Sequence, residues 1–307
     1  MTKLLVATVK PFHPDAIPGI KKIAEDAGYE FALLEKYEDK SALLEAVKDA
    51  TALIVRSDKI TSDVIEAAKE LKIVVRAGAG YDNVDLEAAS AKNIVVMNTP
   101  GQNSNAVAEL ALGMMVFHAR GHYNGKPGTE LRNKTIGIHA FGHVGQLVAE
   151  IARGFNMEVF AYDPFLSDEE IKKHGVKPVD SAEKLYESCQ YISLHIPANE
   201  KTKQSINYDL LNKMPENATL VNTARKEVIH EEDLLKVMES RKDFHYISDI
   251  APDCADEIAS KYEGRYFFTP KKMGAQTAEA NINAGLAAAK QIVNYLDNND
   301  TTFQVNK

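Results

Sequence analysis

The chain has 307 residues, enough for two domains, with an ordinary globular composition and a formal charge of -8. That charge excludes a general nucleic-acid or membrane-surface binder, so an anionic small ligand would need a local basic pocket. The two cysteines, Cys189 and Cys254, stand far apart with no CxxC pair or Cys/His spacing, which excludes a disulfide framework or zinc site; no metal is expected.

Leu4-Leu5-Val6-Ala7 reads as a first strand. The residues around it lack the long apolar stretch and small-residue cleavage site of a signal peptide. Apolar runs follow at Leu53-Ile54-Val55, Ile73-Val74-Val75 and Ile94-Val95-Val96, with helical segments between them. Ala106 to Ala119 is the most apolar helix, but it contains Glu109 and His118 and is too short for a membrane span. A cytoplasmic setting is expected. The cycle restarts after Pro127-Gly128 with Thr135-Ile136-Gly137-Ile138, then Glu158-Val159-Phe160-Ala161, Tyr191-Ile192-Ser193-Leu194, Thr219-Leu220-Val221 and Tyr246-Ile247-Ser248. Short strands alternating with helices predict an α/β fold, and two such runs predict two doubly wound parallel-sheet domains. A cleft between domains is a favoured place for a small ligand. Asn281 to Leu296 is a last helix, expected to cross back to the first domain, followed by the polar run Asp297-Asn298-Asn299-Asp300 and the short end Phe303 to Val305.

One motif carries chemistry on its own. The strand ending at Ile138 leads into Ala140-Phe141-Gly142-His143-Val144-Gly145 and a helix over about Gln146 to Gly154; the next strand ends at Asp163. This is a dinucleotide fingerprint in its proper context. Gly142 and Gly145 permit a tight turn and close approach of a pyrophosphate, backbone N–H groups at the helix start hold phosphates, and Asp163 bonds the adenosine ribose. Asp163 would repel a 2′-phosphate, and Pro164 and Phe165 supply no cation, so NAD is expected over NADP. Ala140 stands where the first glycine belongs and is expected to have negative φ.

Further segments resemble the D-isomer-specific 2-hydroxyacid dehydrogenases over nearly the whole length. They are Val75 through Asp85, including Arg76, Ala79 and Gly80; Asn98-Thr99-Pro100-Gly101-Gln102-Asn103 with Val107-Ala108-Glu109-Leu110; and Val221-Asn222-Thr223-Ala224-Arg225. The resemblance implies a flavodoxin-like substrate domain of residues 1–98 and 284–307, with a Rossmann-type NAD domain, 99–283, inserted in it. It implies a homodimer through the NAD domain, and His195, Pro197, Thr202, Thr223 and Asp249 as cofactor contacts. Arg225 matches the catalytic arginine, Ala79, Gly80 and Asn103 the substrate contacts. Val55-Arg56-Ser57 with Lys59-Ile60-Thr61 resembles the branch whose hydroxy acid carries a phosphate; Arg56, Ser57 and Arg76 would hold it. Alternatively, both arginines are solvated strand-end charges. The chain ends soon after its last helix, so no extra regulatory domain is expected.

The family's proton carrier is a histidine directly after Thr-Pro, but Thr269-Pro270 here precedes Lys271-Lys272-Met273-Gly274. Counting from Thr-Pro selects Lys271, the preferred reading; counting back from Gly274-Ala275 selects Lys272. A lysine with a lowered pKa can accept the hydroxyl proton in oxidation and return it in reduction. Both lysines as surface charges or phosphate contacts is the alternative. The family's supporting glutamate falls on Cys254 by counting; Asp253, one residue early, is expected to orient the lysine, with Cys254 a bystander. His139, His143 and His195 are expected to be non-catalytic. The leading activity is oxidation of 3-phosphoglycerate. Glyoxylate or hydroxypyruvate reduction and an NADH-sensing corepressor-like binding protein are the alternatives.

Overall fold

The computed structural model describes residues 1–307, which form two compact units, Met1–Asn103 with Thr277–Lys307 and Ser104–Gln276. The sequence reading placed the crossings at 98/99 and 283/284. The chain instead leaves the first unit at the residue before the helix Ser104–Ala119 and returns at Thr277, whose hydroxyl caps the helix Ala278–Asn298 by accepting the Ala280 N–H.

The first unit holds five parallel strands: β1 (Lys3–Thr8), β2 (Glu30–Glu35), β3 (Ala52–Val55), β4 (Ile73–Arg76) and β5 (Val95–Asn98). Their order, β2-β1-β3-β4-β5, is that of a flavodoxin-like doubly wound sheet. The apolar runs are continuous because both faces are covered. Leu4, Val6, Ile54 and Val75 pack on one side against Ile20, Ala288 and Ile292. Leu5, Ala7, Leu53 and Val74 pack on the other against Leu43 and Val64.

The second unit has seven parallel strands: β6 (Thr135–His139), β7 (Glu158–Tyr162), β8 (Lys177–Pro178), β9 (Tyr191–Leu194), β10 (Thr219–Asn222), β11 (His245–Ser248) and β12 (Tyr266–Phe268). The order β12-β11-β10-β9-β6-β7-β8 is the Rossmann arrangement extended by one strand. It reverses direction between β6 and β9, so a ligand crevice is expected beyond the carboxyl ends of those strands. No helix is long and apolar enough to cross a membrane.

Three histidines of this unit are held neutral. Burial pushes His139 down to about 4, and burial first, then neighbouring histidines, pushes His195 and His118 down to about 3. His118 lies between His122 and His245, at 3.1 and 2.7 Å. Above the unfolded value of 6.5 these rings are neutral in both states, and below it the unfolded chain binds protons first. Their contribution to stability is therefore complete above that value and lost as pH falls toward 3–4. Urea midpoints measured near pH 7 and near pH 5 should fall with acidification, and His139→Asn should flatten part of the slope. An unchanged midpoint would contradict neutral burial.

Candidate active site

The fingerprint turn sits at the carboxyl end of β6. The helix His143–Gly154 starts three residues earlier than the sequence suggests, with Gly142 as its N-cap. Its first N–H groups therefore lie inside the fingerprint, where they can serve a pyrophosphate. A Cβ on Gly142 would meet nothing within 4 Å, leaving open space for close approach. A Cβ on Gly145 would lie 2.4 Å from the Ala140 carbonyl oxygen and 2.9 Å from Ile138, so this glycine is required for helix–strand packing. His143 is exposed and Val144 half-buried at the helix start.

Ala140 departs from expectation: its φ is +75°, not negative. The tight turn keeps the left-handed geometry although its glycine is missing, and the alanine Cβ crowds its own backbone there. Ala140→Gly should remove about 1–2 kcal/mol of local strain. About 0.5–1 kcal/mol of that is offset by the greater freedom of glycine in the unfolded chain. A small rise in the urea midpoint is expected; a fall typical of alanine-to-glycine changes would contradict the strain.

Asp163, at the end of β7, accepts the N–H groups of Phe141 at 2.8 Å and Phe165 at 2.9 Å. It thus ties the turn to the following segment as well as standing where a ribose is expected. The His195 ring contacts the Ser193 hydroxyl at 2.9 Å, and the His195 backbone N–H donates to the His139 carbonyl at 2.9 Å, bridging β9 and β6. The Thr202 hydroxyl donates to the Pro197 carbonyl and closes that loop. Thr223, after β10, is 7% exposed and its hydroxyl has no partner. A buried hydroxyl without a partner is costly, so an unfilled acceptor or donor position exists here. Open space at Gly142 and the orphan at Thr223 both fit a dinucleotide.

The second half of the site is built by β10, β11 and the turn after β12. Asn222 turns the chain: its side chain accepts the Ala224 N–H and donates to the Arg225 carbonyl, both at 3.0 Å. The Ala224 carbonyl then points at two cations. Arg225 Nη1 donates to it at 2.9 Å, and Lys272 Nζ approaches it at 3.5 Å. Arg225 Nε and Nη2 donate to no protein acceptor, leaving the forked edge of the guanidinium for a planar anion. The recess between these groups is lined by Thr223, Ala224, Arg225, Asp249 and Lys272.

Of the two lysines, the structure brings Lys272, not the Lys271 preferred from the sequence, to the Ala224 carbonyl beside Arg225. The reason is Thr269. Its hydroxyl shares one proton among the Asp249 carbonyl at 2.7 Å, the Asp249 carboxylate at 3.0 Å and the Lys271 carbonyl at 2.8 Å, which closes the turn on residue 271; both lysine side chains are exposed, and that of Lys272 is the one that reaches the Ala224 carbonyl. Asp249 fixes the rest. It is 2% exposed and accepts the N–H groups of Met273 at 2.7 Å and Gly274 at 2.8 Å. A Cβ on Gly274 would stand 2.9 Å from that carboxylate and 3.1 Å from Val107, which explains the glycine. Nothing in the residue spacing marks Asp249 for this role; its pairing to backbone N–H groups four and five residues past Thr269 is purely tertiary.

Asp253 does not orient a lysine of that turn. Its carboxylate pairs with Lys226 on the wall of a separate cleft of about 590 Å³ that contains neither Arg225 nor Lys272. Glu231 holds the Asp253 and Cys254 N–H groups at 2.9 and 2.8 Å, aiming that segment away. Burial, then Glu231, pushes the Cys254 thiol up to about 12, which suits a bystander.

In the first unit, register pairing of Val55 with Arg76 brings the two candidate phosphate arginines to adjoining strand ends. Arg76 Nε donates to the Arg56 carbonyl at 2.9 Å. The Arg76 guanidinium covers Gly78, whose φ is +148° and where a Cβ would lie 1.7 Å from Arg76 Nη1. The Ala79 carbonyl accepts from Asn98 at 2.6 Å, while the N–H groups of Ala79 and Gly80 have no protein acceptor. Ser57 is exposed beside Arg56, and Asn103 is half-buried before the helix Ser104–Ala119.

Residues 105–257 match the family described as D-isomer specific 2-hydroxyacid dehydrogenase, NAD binding domain. A D-3-phosphoglycerate dehydrogenase of Methanocaldococcus jannaschii is 38% identical over 95% of this chain, and the match spans 57% of that protein, little more than half its length. A hydroxypyruvate reductase of Thermotoga maritima is 36% identical over 86% of this chain and 90% of its own. The crystal structure of NAD+-bound 3-phosphoglycerate dehydrogenase from Entamoeba histolytica superposes with a TM-score of 0.88 at 48% identity, covering 100% of this chain and 99% of that one. The chain therefore belongs to the D-isomer-specific 2-hydroxyacid dehydrogenases and carries their NAD-binding domain.

Proposed function

We propose that this chain oxidises 3-phosphoglycerate to 3-phosphohydroxypyruvate, the opening step of serine biosynthesis, as a cytoplasmic homodimer joined through the NAD-binding domain. The observation that carries the reading is the convergence of Arg225 and Lys272 on the Ala224 carbonyl. A 2-hydroxy acid needs a cation for its carboxylate and a base for its hydroxyl proton, and these two side chains supply one each. NAD, when bound, would supply the hydride acceptor. Arg225 grips the carboxylate and the oxygen that becomes a carbonyl through its free fork. Neutral Lys272 takes the hydroxyl proton in oxidation, and its ammonium returns one in reduction. Asp249 holds Lys272 in place through the turn. The N–H groups of Ala79 and Gly80, with Asn103, are assigned to substrate contacts. Arg56, Ser57 and Arg76 are assigned to the phosphate.

Reduction of hydroxypyruvate or glyoxylate is the second reading, favoured by the likeness to the Thermotoga protein over 90% of that protein's length. Arg56→Ala separates the two. Loss of a charge-assisted contact costs about 1.5–3 kcal/mol, so KM for 3-phosphohydroxypyruvate should rise about 10–100-fold. KM for hydroxypyruvate should move far less. An equal rise for both would reject the phosphate role.

A further inference from the structure

Arg56 is the cation on which phosphate recognition rests in the proposed function, and the structure shows an uncommon way of aiming it. Both hydrogens of Nη1 are committed: it donates to the Lys10 carbonyl at 3.0 Å and to the Pro11 carbonyl at 2.5 Å. The guanidinium lies 5.3 Å from the centre of the Phe12 ring. Nε and Nη2 donate to no protein acceptor. The carbonyls of residues 10 and 11 thus decide which edge of the fork stays open, and Nε with Nη2 is an edge that can bind two oxygens of one phosphate.

The loop that supplies those carbonyls is itself tied down by one buried acid. Asp58 is 7% exposed. Its Oδ1 accepts the Val9 N–H at 2.7 Å and the Tyr37 hydroxyl at 2.7 Å. Val9 directly precedes Lys10, so the carboxylate grips the loop at its root. Thr8 adds a second hold, its hydroxyl donating to the Lys10 carbonyl at 2.7 Å. Asn83 closes the other side by donating to the Asp58 carbonyl at 2.7 Å. Asp58 Oδ2 is buried without a hydrogen-bond partner. A buried carboxylate kept half-satisfied is expensive for a fold that needs only a loop anchor.

We infer that Asp58, anchored by Tyr37, is the positioning residue of the Arg56 fork: it fixes Val9, and through Val9 the two carbonyls that occupy Nη1 and leave the Nε–Nη2 edge open to a phosphate. The Tyr37 phenol is pushed up, by burial first and then by its bond to Asp58, so it stays a donor throughout the physiological range. The negative charge of Asp58 also acts on Arg56, countering the effect of burial on the guanidinium.

The inference rests on the phosphate role of Arg56, and the test keeps the two apart. Tyr37→Phe, Asp58→Ala and Arg56→Ala are compared by the ratio of KM for 3-phosphohydroxypyruvate to KM for hydroxypyruvate. Hydrogen exchange of residues 9–13 is followed in the same variants without substrate. All three should raise the ratio, Tyr37→Phe and Asp58→Ala by about tenfold, the scale of one net hydrogen bond. Residues 9–13 should exchange faster in Tyr37→Phe and Asp58→Ala, with β3 and β4 unchanged. If Arg56→Ala raises the ratio and the other two do not, the positioning role is overturned. A general packing role would raise both KM values together and leave the ratio unchanged, which also overturns it. If Arg56→Ala itself leaves the ratio unchanged, the phosphate reading fails. The anchor is then decided by exchange alone: unaltered protection of residues 9–13 in Tyr37→Phe overturns it, and faster exchange upholds it. Should Asp58→Ala fail to fold, Tyr37→Phe, which keeps the carboxylate, carries the test.

Discussion

Lys272→Ala should lower kcat by about 10²–10⁴-fold, the usual scale for a positioned acid–base group. Lys271→Ala should leave it nearly unchanged. The difference follows from one turn. The Thr269 hydroxyl closes on the Lys271 carbonyl, Asp249 takes the next two free N–H groups, and the side chain delivered to Arg225 is that of residue 272. Substrate binding should suffer less than turnover in Lys272→Ala, because Arg225 still holds the carboxylate. The pH profile gives a second signature. Oxidation needs the neutral amine and should gain with rising pH, while reduction needs the ammonium and should lose, and both trends should vanish in the variant. Single-turnover measurements at saturating cofactor check both points. A raised KM for phosphorylated substrates with unchanged kcat would assign the lysine to phosphate binding instead.

The second large effect is expected at Arg225. Arg225→Gln keeps a planar donor but removes the charge and one side of the fork. It should cost about 2.7–4 kcal/mol of transition-state stabilisation, or about 10²–10³-fold in kcat/KM. Arg225→Lys should not rescue it. An ammonium presents no fork and would be only a second point charge beside Lys272 near the Ala224 carbonyl. Steady-state kinetics of the two variants decide this. Near-complete rescue by lysine would mean that charge alone suffices and the bidentate geometry is dispensable.

The parts of the fold legible in sequence are those where burial is complete. β1, β3, β4, β6, β9, β10 and β11 read as apolar runs because both sheet faces are covered. β2, β8 and β12 gave no such signal, and all three are edge strands; β5, the fourth edge, did read as an apolar run, and there the tail covers the flank, the Val305 N–H donating to the Val96 carbonyl. β2 has no buried residue, only exposed and half-buried ones, β8 has two residues, and β12 is half-buried throughout. An edge strand has one neighbour and one open flank, so its pattern is diluted. The fingerprint residues were legible because strand, turn and helix are contiguous. Ala140 was misjudged because composition alone does not set φ; the turn imposed +75° and the alanine complied. Lys272 over Lys271, and Lys226 rather than a turn lysine as partner of Asp253, are outcomes of tertiary hydrogen bonds from Thr269, Asp249 and Glu231. No spacing rule in the chain encodes them. The anchor at Asp58 is hidden for the same reason: Val9 and Tyr37 lie 49 and 21 residues away.

We propose that this chain transfers a hydride between NAD and a phosphorylated 2-hydroxy acid. The most direct measurement is NADH consumption by the purified protein, followed by absorbance, with 3-phosphohydroxypyruvate, hydroxypyruvate and glyoxylate compared side by side. Steady turnover with all three is expected to be detectable and kcat/KM to be highest for the phosphorylated acid, with NADPH a poor substitute if Asp163 takes the ribose role proposed for it. NADH binding without turnover of any of the three would contradict it and favour a cofactor-sensing protein. A kcat/KM for hydroxypyruvate or glyoxylate equal to or above that for 3-phosphohydroxypyruvate would contradict the phosphate assignment.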